Sequence, residues 1–136
     1  MPAKEHIYSV LIVSASEKFN SSLCGLLPES DYHPVCITGS VNEAQRNLQE
    51  RSYDLVMINA PLPDDFGRKF AIDVSLNQSS VAMLFVRSDL YDETYAKVQN
   101  HGVFTLRKPT SSAMILQALD WMRSVRERLS KIEKKT

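Results

Sequence analysis

Short apolar runs alternate along this chain with segments in which apolar residues recur every three or four positions. Apolar runs rich in β-branched residues are typical of buried strands, and the wider spacing is typical of amphipathic helices. The pattern predicts strands at residues 7–13, 32–38, 53–59, 81–86 and 103–108. It predicts helices at residues 16–27, 40–52, 66–78, 88–102 and 110–135.

A strand followed by a helix, repeated five times, predicts an α/β fold with a doubly wound parallel sheet covered on both faces. Local signals agree with the boundaries. Ser16 is a candidate N-cap, and Ser40 with Glu43 forms a candidate capping box. Gly102 suits the position after a helix end, and Pro34 indicates that the second strand lies at an edge of the sheet.

Composition and charge narrow the class of protein. A chain of 136 residues is expected to form one domain, and its 16 basic and 16 acidic residues give no global charge that would attract nucleic acid. No stretch approaches the roughly 20 apolar residues of a membrane span, and the first residues lack a secretory signal pattern. Cys24 and Cys36 are expected to be reduced, largely buried thiols. We therefore expect a cytoplasmic protein.

Candidate chemistry lies where the strands end, because ligands of doubly wound sheets bind outside the carboxyl ends of the strands. The residues at these ends are Ser14, Ala15 and Ser16 after the first strand, Asn59 at the end of the third, Arg87 and Ser88 after the fourth, and Lys108 at the end of the fifth. Asn59 is notable because an amide, and not a carboxylate, ends the most apolar strand.

Three segments of the sequence resemble the receiver domains of two-component response regulators. "YDLVMINAPLPDDFG" resembles the family's third strand and following loop, "LRKP" its final strand, and "LIVSASEKF" its first strand. The resemblance covers about residues 6 to 122. It implies a flavodoxin-like sheet with strand order 2-1-3-4-5. It also implies a signalling function, in which the family phosphorylates an aspartate after the third strand with the help of Mg²⁺.

This chain departs from the family at nearly every position that performs the chemistry. Ser14 and Ala15 occupy the acidic positions, Asn59 the phospho-acceptor position, Arg87 with neighbouring Ser88 the Ser/Thr position, and Thr105 the aromatic position, so that only Lys108 matches. An amide nitrogen is not a nucleophile at neutral pH, and Mg²⁺ prefers carboxylate oxygens. We therefore expect no catalysis, no metal and no cofactor, and a regulatory module that works without phosphorylation.

Two interpretations of the altered pocket remain open. In the first, Asn59 hydrogen-bonds Lys108 or loop backbone and holds one fixed conformation. In the second, Lys108, Arg87, Ser14 and Ser16 bind a small anion or a phosphorylated ligand. Asp64 and Asp65 follow in the next loop as weaker candidates for replacement metal ligands. The Ser-rich loop lacks the glycines of a flavin site, and the three histidines are scattered, which argues against an enzyme.

The last helix is long, and we divide the chain into a domain at 1–122 and a helical extension at 123–136. Seam residues at heptad spacing are Ile115, Ala118, Met122, Val125, Leu129 and Ile132. This seam predicts a dimer stalk, with a fraying tail as the alternative and the helix that carries Tyr91 and Tyr95 as another dimer surface. A receiver followed by such a helix resembles ANTAR-type antitermination regulators. The expected partners are proteins, with a second copy first among them, and nucleic acid is expected only through an output domain that does not follow Thr136 here.

Overall fold

The structure, a computed structural model, describes the backbone of residues 6–135 and the side chains of residues 6–128. Strands and helices alternate from the first element to the last. The strands are β1 (Tyr8–Val13), β2 (Tyr32–Thr38), β3 (Leu55–Asn59), β4 (Val81–Arg87) and β5 (Phe104–Lys108). The helices are α1 (Glu17–Cys24), α2 (Val41–Glu50), α3 (Arg68–Asn77), α4 (Tyr91–Val98) and α5 (Ser112–Lys135).

The five strands form one parallel sheet in the order β2-β1-β3-β4-β5, as the sequence predicts. β2 is an edge strand, in agreement with the interpretation of Pro34. Side chains of the central strand β3 alternate between two cores: Val56 and Ile58 pack with α2, α3 and α4, while Leu55 and Met57 pack with α1 and α5. This alternation is the period of two expected for a strand covered on both faces.

The predicted helix boundaries have the expected hydrogen bonds. The Phe19 N–H donates to Ser16 Oγ at 3.2 Å, and the Glu43 N–H donates to Ser40 Oγ at 3.2 Å. Gly102 adopts a φ of +78°, the left-handed conformation that favours glycine after a helix end. The predicted helix at 88–102 is divided, because α4 is flanked by single 3-10 turns at 88–90 and 99–101.

The last helix packs on its own sheet over a longer part of its length than the heptad pattern predicts. Ile115, Ala118 and Met122 are buried in the core on the α1 side, and Val125 packs against the same core. Ile115, Ala118 and Met122 therefore cannot form a seam with a second chain while the domain is folded, and for these three residues the prediction is wrong, whereas Val125 is only half-buried. The side chains of Leu129 and Ile132, the remaining seam residues, lie outside the described residues.

An ion pair holds α5 one turn beyond Met122. The Arg126 guanidinium contacts Asp54 Oδ1 at 2.7 Å and also donates to the Ser79 carbonyl. Asp54 accepts in turn from the Ser9 N–H at 3.0 Å, so the helix is fixed to the amino-terminal ends of β1 and β3. Contact with the domain thus continues past residue 122, where the predicted extension was placed.

Two smaller expectations are also resolved by the structure. Cys24 is exposed, and Cys36 is half-buried, so the prediction of largely buried thiols is wrong for Cys24. Within the described part of the chain, no helix is long and apolar enough to cross a membrane.

Candidate functional site

The candidate site lies at the carboxyl ends of β1, β3 and β5. Strand order reverses between β1 and β3, since the chain runs from β1 outward to β2 and then back to β3 on the other side. Side chains at such a switch point face a crevice that adjacent helices leave open. Ser14 follows β1 and Asn59 ends β3, so both are placed at this crevice by topology.

Asn59 is buried, and both ends of its amide are hydrogen-bonded. Its Nδ2 donates to Ser14 Oγ at 3.2 Å, and its Oδ1 accepts from Lys108 Nζ at 2.6 Å. Only 7% of Asn59 and 1% of Ser14 are exposed to solvent. Burial of a polar group is tolerated when its hydrogen bonds are made, so this arrangement gives Asn59 a single satisfied conformation.

Ser14 connects Asn59 to the start of α1. The Ser16 N–H donates to Ser14 Oγ at 3.2 Å, and the Asn20 side chain donates to the Ser14 carbonyl at 3.3 Å. Ser16 also caps α1, as described above, so its hydroxyl is engaged outside the pocket. The hydrogen-bonded chain therefore runs from α1 through β1 and β3 to Lys108 on β5.

Lys108 is half-buried and contacts only neutral acceptors. Besides Asn59 Oδ1, its Nζ donates to the Ala60 carbonyl at 2.6 Å. Burial lowers the pKa of Lys108 from its ordinary value, and the nearby Arg87 charge lowers it further. Both effects disfavour the ammonium form, whereas the two short hydrogen bonds favour it, and the net direction is downward.

Arg87 is exposed and is paired with an acidic neighbour. Its guanidinium forms a bidentate pair with Asp89, with Nε to Oδ1 at 3.1 Å and Nη2 to Oδ2 at 2.5 Å. This pairing raises the pKa of Arg87 and lowers the pKa of Asp89. Neighbouring Ser88 is exposed and begins the 3-10 turn before α4. The expectation that Arg87 and Lys108 share a ligand is therefore weakened by the geometry.

Thr105, at the position where the resemblance implies an aromatic residue, is buried without a hydrogen-bond partner for its hydroxyl. Nearby, the Arg107 guanidinium lies 4.0 Å from the ring centroid of Tyr91, which packs against the core from α4. Tyr91 stacks in turn on Tyr95, with ring centroids 5.8 Å apart. The aromatic side chain that covers this face of β5 is therefore Tyr91 of α4, and it does not belong to β5 itself.

The acidic residues of the loop after β3 do not contribute to the pocket. The Asp64 carboxylate accepts from the N–H groups of Val41 and Asn42, both at 3.0 Å, and these bonds lower its pKa. Asp64 therefore caps α2, and Asp65 is exposed. Ala15 is exposed as well and offers only a methyl group. Among the residues that the structure describes, no three His, Cys, Asp or Glu side chains form a group able to hold a metal ion.

Ser14, Asn59 and Lys108 lie together, as the sequence predicts. Two of their hydrogen-bond partners were not predicted. The Ala60 carbonyl is a backbone acceptor, which no residue type can signal. Asn20 lies one turn into α1, on the helix face that otherwise packs on the sheet. A polar residue at such a position could have indicated a hydrogen bond to the pocket.

No protein-family model matches this sequence, and no curated protein matches it either. Solved structures do match. The chain is similar to the signal receiver domain of an HD domain-containing protein from Pseudomonas fluorescens Pf-5, with 26% identity and a TM-score of 0.76, over 94% of this chain and 98% of that one. It is also similar to the chemotaxis response regulator CheY4 of Vibrio cholerae, with 18% identity and a TM-score of 0.73, over 86% and 99% of the two chains.

A third similar structure is the beryllofluoride-activated receiver domain dimer of NtrC4, with 25% identity and a TM-score of 0.74, over 84% of this chain and 94% of that one. These similarities and the observed strand order confirm the predicted fold, which is the five-stranded fold of receiver domains.

Proposed function

We propose that this chain is a receiver-like signalling module whose conformation is set by protein contacts and not by phosphorylation of an aspartate. The observation that carries the proposal is the Asn59 amide, which is hydrogen-bonded to Ser14 through its nitrogen and to Lys108 through its oxygen. An acyl phosphate forms only on a carboxylate oxygen, and Asn59 has none.

The residues at the switch point support the same proposal. Phosphoryl transfer develops negative charge that a divalent cation normally neutralises, and Mg²⁺ is bound through carboxylates. At the switch point of this sheet stand a serine, an alanine and an asparagine, namely Ser14, Ala15 and Asn59. Lys108 provides a positive charge there but no metal ligand.

The first test is phosphorylation by a small phosphodonor. The protein is incubated with acetyl phosphate and Mg²⁺, and its intact mass is followed over time. We expect no stable phosphoryl adduct. The matched control carries Ser14→Asp, Ala15→Asp and Asn59→Asp together, which restores the acidic positions on the same frame, and is expected to gain a phosphoryl group. Stoichiometric, hydroxylamine-labile phosphorylation of the unaltered protein would overturn the proposal.

A second candidate function, binding of a small anion at Lys108, is favoured by one observation. Lys108 has three N–H donors as an ammonium, and the structure assigns two of them to protein oxygens. The protein is titrated with beryllofluoride and Mg²⁺, and then with inorganic phosphate, while amide NMR shifts are recorded. Saturable shifts at Asn59 and Lys108 support this candidate, and unchanged spectra reject it.

Protein partners are proposed to contact the exposed apolar side chains of α5. Met114, Leu116 and Trp121 are 52%, 46% and 44% exposed, and Trp121 stacks on Phe104 of β5 with ring centroids 4.8 Å apart. A second copy of the chain is the first partner to test, by light scattering after size-exclusion chromatography. Trp121→Ala is expected to weaken a dimer that uses this face, and an unaltered monomer at high concentration would reject the dimer.

The resemblance of α5 to the stalk of ANTAR-type regulators suggests how such a module transmits a signal. We propose that α5 carries the state of the domain to a following segment or to a bound protein, and that nucleic acid is reached only through such an output. A gel-shift assay with structured RNA tests this directly. Tight binding by residues 1–136 alone would contradict it.

A further inference from the structure

We propose that the groove between α2 and α3 is a docking site for an arginine side chain of a partner protein, bound together with the peptide groups on either side of that arginine. The groove has a volume of about 380 Å³. It shares no residue with the Asn59 pocket or with the exposed apolar side chains of α5. Its role is therefore additional to the proposed function and does not depend on it.

The floor of the groove is apolar. Leu48 of α2 lines it together with Phe70 and Val74 of α3. Phe70 and Val74 are buried in the core that these helices cover, and Leu48 packs against the same core. Clefts that bind ligands combine such a floor with a few polar groups that fix orientation. The stem of a long side chain therefore finds an apolar surface here.

A half-buried carboxylate, that of Asp73, faces the groove. The ion pairs formed among the described residues do not include Asp73, and Lys69, one turn earlier on α3, is not paired with it. By contrast, Asp54 is paired with Arg126. A carboxylate that is partly removed from water is stabilised by a cation that donates hydrogen bonds to it. The groove therefore has a place for a positive charge.

The ends of both helices add to the preference for a cation. Gln49 and Asn77 line the groove from the last turns of α2 and α3, where carbonyl groups without a helical partner carry partial negative charge. Neither helix has a basic residue in its last turn. Arg51, which follows α2, lies with its guanidinium 5.0 Å from the ring centroid of Tyr53 and donates to the Ser52 carbonyl.

Four carboxamides at the rim indicate which kind of molecule carries the cation. Each carboxamide offers two N–H donors and a carbonyl acceptor, which are the groups that pair with a peptide bond. Most of them are exposed and can exchange water for a ligand. A simple amine would leave these groups in water, whereas a residue within a polypeptide would use them. The carboxamides belong to Gln45, Gln49, Asn77 and Gln78.

Arginine fits the groove better than lysine does. A guanidinium donates two parallel hydrogen bonds to one carboxylate, and it is more weakly hydrated than an ammonium, so entering a half-buried cleft costs less. Its methylene stem covers apolar surface while the charged end stays polar. A volume of about 380 Å³ is near the lower end for ligand sites. It therefore suits one long side chain with its adjacent peptide groups, and not a folded element.

The groove ends beside the contact that fixes α5. Gln78 is followed by Ser79, which has a φ of +57° and whose carbonyl accepts from Arg126. The Ser80 hydroxyl donates to the Gln78 carbonyl at 3.3 Å. A ligand that orders Gln78 therefore acts on a turn that α5 also holds. We expect binding in the groove to change the surroundings of Ser79 and Arg126.

The test uses N-acetyl-arginine N-methylamide, which carries a guanidinium and two peptide groups. It is titrated into the isotope-labelled full chain while NMR records backbone and side-chain amide signals. We expect saturable shifts of the carboxamides of the groove and of the backbone amides of Ser79 and Arg126. The side-chain amide of Asn59 is expected to stay unchanged.

Two further probes separate the parts of the ligand. N-acetyl-norleucine N-methylamide lacks the charge and is expected to bind at least about tenfold more weakly, as the loss of one charge-assisted hydrogen bond implies. Propylguanidinium lacks the peptide groups and is expected to bind at least about fivefold more weakly, as the loss of two neutral hydrogen bonds implies. Equal binding of norleucine refutes recognition of a cation, and equal binding of propylguanidinium refutes a polypeptide as the ligand.

The variant Asp73→Asn keeps the shape of the groove and removes its charge. It is expected to weaken binding of the arginine probe at least about tenfold. Asp65→Asn, which changes an exposed aspartate outside the groove, is the matched control and is expected to bind as the unaltered protein does. Absence of saturable shifts overturns the proposal, as does an affinity unchanged by Asp73→Asn.

Two other outcomes concern separate parts of the molecule. Groove shifts without any change at Ser79 and Arg126 refute the connection to α5 and leave the docking site in place. Phosphorylation of the unaltered protein overturns the proposed function, and it is measured by mass at the other end of the sheet. The failure of one proposal is therefore distinguishable from the failure of the other.

Discussion

The hydrogen bonds of Asn59 predict a measurable coupling with Lys108. Asn59→Ala removes an acceptor of the Lys108 ammonium at 2.6 Å and a donor to Ser14 at 3.2 Å. A bond to a charged group contributes about 1.5–3 kcal/mol and a neutral one about 0.5–1.5 kcal/mol. Lys108 is half-exposed and regains water in the variant, so the lower part of each range applies. We expect the free energy of unfolding to fall by about 2–3 kcal/mol.

A double-mutant cycle isolates the part of this free energy that comes from the interaction between Asn59 and Lys108. Urea unfolding, followed by circular dichroism, is measured for the unaltered protein, Asn59→Ala, Lys108→Met and the double variant. Lys108→Met keeps most of the apolar stem and removes the ammonium with its charge and its donors. We expect a coupling of about 1–2 kcal/mol, which is typical of residues in one hydrogen-bonded network.

The control is Asn77→Ala, which removes an exposed asparagine at the end of α3 and is expected to change stability by less than about 0.5 kcal/mol. If the Asn59 and Lys108 substitutions add within about 0.3 kcal/mol, the two side chains do not interact in solution. In that case Asn59 and Lys108 do not hold the pocket in one conformation, however much each single substitution destabilises the protein.

Three further predictions concern the frame around the site. Arg126→Ala, which breaks the pair with Asp54, is expected to lower the free energy of unfolding by about 1.5–3 kcal/mol and to speed hydrogen exchange late in α5; exposed Arg128→Ala serves as the control. Asp64→Ala is expected to destabilise the protein at pH 7 but not well below pH 3.8. Because folding lowers the pKa of Asp64, its carboxylate stabilises the protein fully above the ordinary pKa, and this stabilisation is lost as the pH falls through the pKa of the folded state. Unfolding in urea at pH 7 and at acid pH checks this. Gly102→Ala is expected to cost about 1–3 kcal/mol in urea unfolding, since φ is +78° and the new Cβ meets a serine oxygen at 2.9 Å.

The convergence of Ser14, Asn59 and Lys108 was predictable because it depends on topology alone. Once five strands are assigned to a parallel sheet, their carboxyl ends meet at one edge, and the residues found there are neighbours regardless of their separation in sequence. The hydrogen bond between Asn59 and Lys108 follows from the same argument, because an ammonium needs acceptors and Asn59 Oδ1 is a side-chain oxygen at the same edge of the sheet.

The packing of α5 could not be predicted in the same way. A seam at heptad spacing and a face that packs on a sheet at the helical period of 3.6 residues differ by only about 20° per heptad. Over Ile115, Ala118 and Met122 the two patterns select the same side chains, so the apolar positions did not say which surface they face. The Arg126–Asp54 pair would have decided the question, but its members are 72 positions apart in sequence.

The pocket residues depend on one another, and this limits what any single substitution can do. Asn59 is accommodated because Ser14 accepts its Nδ2 and Lys108 donates to its Oδ1. Asn59→Asp alone supplies a nucleophile and pairs with Lys108, but the serine and alanine after β1 still cannot hold Mg²⁺, so the charge of phosphoryl transfer stays unneutralised. Acids introduced at Ser14 and Ala15 alone place negative charge, buried at Ser14, next to an amide that cannot be phosphorylated.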